Sequence, residues 1–296
     1  MNLPYASPAA FRRALTDRLR AIARPRGLWP LPDLQRQFAY DRLLARLYLA
    51  DDRWIIKGAT ALLARQIAVR HTIDIDLYRA TTRDQAERDL RDAAGRDLGD
   101  WFLFDAGSGI PAADAARGMR VPITATIGTT PWATFHVDIV ADTVRMTGTP
   151  DDVSPLIPNL IPGLDRPHYR AYPLVDHVAD KIAAILEHHG LHQHPSARFK
   201  DLVDLIAISG NAQVTAHDQL RALRSELDRR NLAPPTKFDV PDRSMWQAGY
   251  AAEARRAYGL QVRTLDEALA IVSPFVNALL DGDATGTWNP LKRTWE

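Results

Sequence analysis

Two aspartates one residue apart, Asp74 and Asp76, stand in the run Thr72-Ile73-Asp74-Ile75-Asp76-Leu77. The alternation predicts a strand with both carboxylates on one face and Ile73, Ile75 and Leu77 on the other. Carboxylates so placed are close enough to hold divalent cations between them. Upstream, Lys57-Gly58-Ala59-Thr60 follows the buried-strand signal Trp54-Ile55-Ile56. A glycine at a strand-to-helix turn lets backbone N–H groups approach a phosphate at the helix N-terminus. Together these motifs can bind metal and triphosphate, as a two-metal displacement at phosphorus requires. Asp138, on the polar face of a later strand beside His136, is either a third metal carboxylate or a sheet-face aspartate without metal. The sequence leaves both readings open.

A second constellation lies further on: Lys181, then Arg198-Phe199-Lys200-Asp201-Leu202-Val203-Asp204-Leu205. Asp201 and Asp204, at i and i+3, share a helix face beside Leu202 and Leu205. Lys181 flanks the apolar stripe of Leu174, Val178, Ile182 and Ile185. Charges at the border of a buried stripe form structural ion pairs or the wall of a site, and taken alone the former is favoured. His188, His189, His192 and His194 are interrupted by Gly190 and Pro195 and hold no ligand spacing with a carboxylate, which argues against a metal site there. No G-x-S-x-G occurs, so a serine hydrolase finds no support.

The elements that must position these residues are legible from periodicity. Ser7 can cap a first helix that opens on Pro8, with Phe11, Leu15, Leu19 and Ile22 in one stripe. Arg12, Arg13, Arg20 and Arg24 lie largely away from that stripe. A second amphipathic helix runs to about Leu49, with Leu34, Phe38 and Leu47 inward. A helical stretch spans Thr60 to Ile67, and a charged helix spans Thr82 to Arg96. The segment 105–117 reads as loop. Val121, Ile123, Ala125 and Ile127 alternate with Pro122, Thr124 and Thr126, the pattern of a strand near an edge. A last strand has Phe135, Val137 and Ile139 inward and Asp138 opposite. Beyond Leu174 the chain reads as five helices. The expected order is N-terminal helices over 1–50, an α/β (α+β) core with a mixed sheet over 51–145, a linker over 146–170 and a helical lobe over 171–296. Five prolines and two glycines mark that linker.

The chain has 296 residues, 46% hydrophobic and 25% charged, with a formal net charge of +1. Such values exclude a disordered or fibrous chain. With no cysteine there is no disulfide, thiolate metal site or cysteine nucleophile. No apolar run suits a membrane helix or a signal peptide, so a cytoplasmic protein is expected. The charge is uneven, because residues 1–50 carry nine arginines against Asp17, Asp33 and Asp41. A polyanion-binding face requires such an excess. Only five of the 37 basic residues are lysine, and Lys57, Lys181 and Lys200 fall inside the motifs above.

Taken together, Lys57-Gly-Ala-Thr-Ala-Leu62, Arg70-His-Thr-Ile-Asp-Ile-Asp-Leu77, Lys181 and Arg198-x-Lys-Asp-Leu-x-Asp-Leu205 resemble the AbiEii-type nucleotidyltransferase toxins, and most closely their mycobacterial MenT branch. The likeness extends to the opening Tyr5-Ala-Ser-Pro helix and the last helices. It implies a DNA polymerase β-like nucleotidyltransferase core joined to a helical lobe. It also implies a toxin that adds nucleotides from NTP to the 3′ end of tRNA and so blocks aminoacylation, with a cognate antitoxin as partner; separately, no membrane contact and a monomeric chain are expected. Under that resemblance Asp74 and Asp76 hold Mg²⁺, Lys181 contacts the triphosphate and Asp204 completes the active site. Lys57, Gly58, Arg198 and Lys200 are expected to serve the nucleotide, and from the charge excess the four N-terminal arginines either contact RNA phosphates or form a solvated helix face. Where relatives carry a second glycine or serine after Gly58, this chain has Ala59, and Thr60 is the hydroxyl that can stand in. Thr72, two residues before Asp74 on the predicted strand, should share the face of the carboxylates. It is either a β-branched residue serving only strand propensity or, as the resemblance implies, a position at which some relatives are silenced by phosphorylation. The rival expectations are nucleotidyl transfer to a protein or small molecule, and a catalytically inactive fold that binds RNA or its antitoxin.

Overall fold

The computed structural model describes residues 3–111, 118–141, 146–190 and 192–296, which fall into two compact units. The first comprises residues 1–66, 71–145 and 152–171; the second comprises 67–70, 146–151 and 172–296. The expected loop over 105–117 falls partly on residues 112–117, outside the described ones.

In the first unit, helix α1 (Pro8–Ile22) starts where its sequence signals it. Ser7 caps the Ala10 N–H at 3.2 Å, and Phe11, Leu15 and Leu19 are buried. Helix α2 (Leu31–Ala50) follows, and then β1 (Ile55–Lys57), α3 (Gly58–Ala64), β2 (Asp74–Arg79) and α4 (Arg83–Ala94). The remaining strands are β3 (Phe102–Ala106), β4 (Ile110–Pro111), β5 (Gly118–Ile127), β6 (Thr130–Ala141), β7 (Asp151–Val153) and β8 (Tyr169–Ala171). They form one mixed sheet in the order β3-β5-β6-β2-β1-β8-β7, with β4 also on β5. The hairpin β5–β6 is antiparallel, β6 and β2 run parallel, and β2 and β1 run antiparallel. Period-2 alternation buries Ile75, Leu77, Val121, Ile123, Val137 and Ile139 on one face. Their polar neighbours in sequence therefore share the other face.

Two expectations need correction and one is met. Ile73 is 53% exposed rather than inward, because β2 begins only at Asp74. Strand β5 does lie near an edge, one strand in: β3 and β4 form that edge and pair along its outer side. Pro122 is tolerated there because its carbonyl accepts the Gly107 N–H on that outer side, where its own missing N–H also falls. The proline-rich stretch over 146–170 supplies β7 and the start of β8 to the sheet.

Helix α2 is buried on almost every face. Arg42 and Arg46, 2% and 0% exposed, both bond Asp100. Asp41 accepts the N–H groups of Leu156 and Ile157 and the Tyr169 hydroxyl. Burial pushes the Asp41 carboxyl up to about 6, against those hydrogen bonds.

The second unit is helical: α5 (Leu174–Leu186), α6 (Phe199–Asn211), α7 (Ala216–Arg230), α8 (Arg243–Arg256) and α9 (Leu265–Asp281). Short hairpins β9 (His188–His189) with β10 (His194–Pro195), and β11 (Trp288–Asn289) with β12 (Thr294–Trp295), complete it. Helix α5 packs on α6 and α7, and its Val178, Ile182 and Ile185 are fully buried. No helix among the described residues is long and apolar enough to cross a membrane.

Candidate active site

The sheet register builds a row of charges. Lys57 on β1 lies opposite Asp76 on β2, Asp76 beside Asp138 on β6, and Asp138 opposite Arg120 on β5. One step along, Asp74 lies beside His136. Register partners share a sheet face, so these residues stand together on the face away from Ile75 and Val137.

Gly58 makes room for the pair. It sits at the β1–α3 turn with φ +54°, and a Cβ there would lie 1.9 Å from Asp76 Oδ2. Only glycine lets this turn pass so close to the carboxylate. Asp74 is anchored through its backbone: Thr60 Oγ1 donates to its carbonyl at 3.3 Å, and Thr72 Oγ1 both donates to that carbonyl (3.1 Å) and accepts its N–H (3.3 Å). Tyr40 in turn donates its hydroxyl to the Thr72 carbonyl.

These contacts correct two expectations. Thr60 is 0% exposed and holds Asp74 instead of offering a hydroxyl to phosphate. Thr72 precedes β2 and folds its hydroxyl back onto the Asp74 backbone, rather than standing in line with the carboxylates on a strand.

Asp74 Oδ1 is buried and makes no hydrogen bond among the described residues, with His136 Nδ1 3.4 Å away. A buried carboxylate oxygen left without a donor is costly unless a cation reaches it. Asp74 and Asp76 therefore offer the oxygen donors that a hard divalent cation takes. Asp138 differs: both its oxygens are taken by Arg120, Nε at 2.8 Å and Nη2 at 2.6 Å. Arg120 Nη2 also lies 3.7 Å from Asp74 Oδ2. The hydrogen bond to Asp138 holds the guanidinium well above its ordinary pKa, against desolvation and with help from Asp74 and Asp76. Among the described residues no three histidine or carboxylate side chains converge as a metal site, so the trio Asp74, Asp76 and Asp138 is not preformed. Sequence reasoning missed Arg120, although its place two residues before Pro122 on the polar alternation of β5 was a usable signal.

In the helical unit, Lys181 is 4% exposed and donates to Asp201 at 2.8 Å and Asp204 at 2.6 Å. Arg70 grips Asp204 with Nε and Nη2 at 2.8 and 2.7 Å, and Arg198 donates to Asp201 at 2.7 Å. Burial alone would raise Asp201, but Lys181 and Arg198 hold its carboxyl below the usual range. Burial likewise works to lower Lys181, and Asp201 with Asp204 outweighs it. Arg198 and Lys200 are exposed. Arg70, absent from the expected set as a site residue, is the third cation of this cluster.

At the N-terminus, Arg12, Arg13 and Arg20 line an open groove of about 620 Å³ with Ser7, Thr16 and Thr130. Arg12 stacks over Trp132 at 5.7 Å, and its Nη1 is buried without a hydrogen-bond partner among the described residues. Arg20 pairs with Asp17 on the helix surface. Arg24 is outside the groove lining.

The sequence pattern of the family described as "Nucleotidyl transferase AbiEii toxin, Type IV TA system" matches residues 42–271. A search of curated proteins gives no match. Among solved structures the chain is similar to MenT4, a nucleotidyltransferase toxin from Mycobacterium tuberculosis, at 17% identity and a TM-score of 0.54. That likeness covers 93% of this chain and 89% of the other. JHP933 from Helicobacter pylori is also similar, at 13% identity and a TM-score of 0.46, over 83% of this chain and 90% of its own.

Proposed function

The chain belongs to the AbiEii nucleotidyltransferase toxins of type IV toxin–antitoxin systems, and from that premise we propose that it transfers nucleotides from an NTP to the 3′ end of tRNA. The observation that carries this reading is the carboxylate pair of β2, with one buried oxygen awaiting a cation and Gly58 clearing the space beside Asp76. The RNA 3′-oxygen attacks the α-phosphorus in line, the bond from that phosphorus to the bridging oxygen breaks, pyrophosphate leaves and the hydroxyl proton passes to solvent. Mg²⁺ bound by Asp74 and Asp76 would lower the pKa of the attacking hydroxyl and offset charge on the departing pyrophosphate.

The protein's own residues supply orientation. Thr60 and Thr72 fix the Asp74 backbone, and Gly58 lets Asp76 keep its rotamer. Lys57, opposite Asp76 in the register, brings positive charge toward the triphosphate. In the helical unit the reading assigns Lys181 to the nucleotide and Asp204 to the reaction, with Arg198 and Lys200 exposed for phosphate. The basic groove of α1 serves the RNA backbone, which supports an RNA acceptor over a protein or a small molecule. The cognate antitoxin acts through Thr72, where a phosphate would bring roughly −1.5 to −2 charges beside Asp74.

The test is to incubate the protein with total tRNA and each labelled NTP in the presence of Mg²⁺. Label at the tRNA 3′ end supports the reading. Label on a protein or small molecule, or none with any NTP, refutes it.

A further inference from the structure

We propose that Asp138 is the anchor of Arg120 rather than a metal ligand, and that Arg120 takes a phosphate oxygen of the nucleotide or of the RNA. The proposal rests on the reading of Asp74 and Asp76 as the metal pair. Three carboxylates on one sheet face would repel a triphosphate. Arg120 pairs off the third, and the two that remain match the charge of one divalent cation.

The geometry suits a positioning role for Asp138. A fork-to-fork pair at 2.8 and 2.6 Å consumes both carboxylate oxygens and fixes the plane of the guanidinium. The Arg120 side chain is still 41% exposed, and its Nη1 makes no hydrogen bond among the described residues. An arginine held on one edge and open on the other is arranged to meet a second oxyanion, such as a phosphate. The register adds direction: in the row Lys57, Asp76, Asp138, Arg120 the metal carboxylate Asp76 lies between Lys57 on one side and the Asp138–Arg120 pair on the other, so cationic charge stands at both ends of its row.

The experiment uses the full chain and reads binding, not turnover. Mn²⁺ affinity is measured by electron paramagnetic resonance. Affinities for inorganic tripolyphosphate and for a twelve-nucleotide single-stranded RNA are measured in EDTA. Arg120→Met should weaken one of the two anions about ten-fold, as expected when one charge-assisted hydrogen bond is removed. A weaker grip on tripolyphosphate assigns the contact to the nucleotide, and a weaker grip on RNA assigns it to the acceptor. The charge-balanced double variant Arg120→Met/Asp138→Asn should weaken the same anion as Arg120→Met, to the same extent. Its Mn²⁺ affinity should stay within about three-fold of wild type, since no ligand is removed and net charge is unchanged. A drop of about ten-fold or more in its Mn²⁺ affinity would make Asp138 a ligand and overturn the proposal. Unchanged binding of both anions by Arg120→Met would overturn it equally. A wild type that binds no Mn²⁺ sinks the metal-pair reading alone, because the EDTA measurements still decide Arg120.

Discussion

Gly58 ties backbone conformation to chemistry at a single residue. Gly58→Ala strains a left-handed backbone by about 1–2 kcal/mol and drives a methyl into the Asp76 carboxylate. Transfer and Mn²⁺ binding should both collapse while circular dichroism stays native; retained Mn²⁺ binding would dissociate Asp76 from the metal. Thr72 makes a graded case. Thr72→Val removes two hydrogen bonds to the Asp74 backbone, each worth about 1 kcal/mol, and should cost several-fold in transfer. Thr72→Glu adds charge beside Asp74 and should abolish it. Mass spectrometry of toxin co-expressed with its antitoxin checks whether the position is modified; fully inhibited toxin with unmodified Thr72 would point to occlusion instead. At this scale the spacing of Asp74, Asp76 and Gly58 is readable because alternation and turn chemistry are local. The Arg120–Asp138 pair is not, since it depends on the register of a hairpin whose partners lie 18 residues apart. The Thr60 and Thr72 bonds escape for the opposite reason: nothing in a hydroxyl's position says whether it faces a ligand or its own backbone.

At the scale of elements, buried ion pairs decide what periodicity cannot. Helix α2 has the pattern of an amphipathic helix, yet Arg42 and Arg46 are covered because Asp100 meets them. The cluster on α5 and α6 behaves likewise. Lys181→Met leaves Asp201 and Asp204 buried with one cation fewer, a change that typically costs about 3–5 kcal/mol. Urea unfolding should show that cost, and any fall in activity must be judged against it; a cost under about 1 kcal/mol would rule out a structural role. Asp201 is held below its ordinary pKa in the folded state. Its contribution is therefore full above the unfolded value of about 3.9 and is lost as pH falls below that. The stability gap between wild type and Asp201→Asn should be constant above about pH 5 and shrink in acid; a gap that widened in acid would reverse the sign. Strand β5 carries the signal of an edge because proline speaks only for its own N–H, and that N–H is absent on the side where β3 gives way to β4.

Over the whole molecule, near-neutral charge hides a basic end. The motifs at 57–62, 70–77, 181 and 198–205, which carry the family resemblance, lie within the matched residues 42–271. The two-unit partition is less legible: α1 and α2 belong with the sheet, because their apolar stripes are buried in it. Replacing Arg12, Arg13, Arg20 and Arg24 with glutamine should weaken tRNA binding and lower the log–log salt slope by about 0.7–0.9 for each phosphate the protein no longer neutralises. An unchanged slope would return these arginines to a solvated helix face. The most direct measurement is label transfer from NTP to the tRNA 3′ end by wild type and Asp76→Ala, with Mg²⁺ present and both proteins shown to be folded. Wild type should extend tRNA and Asp76→Ala should not, because the carboxylate is removed while the apolar face of β2 is untouched. Near-wild-type extension by Asp76→Ala would contradict catalysis at the carboxylate pair.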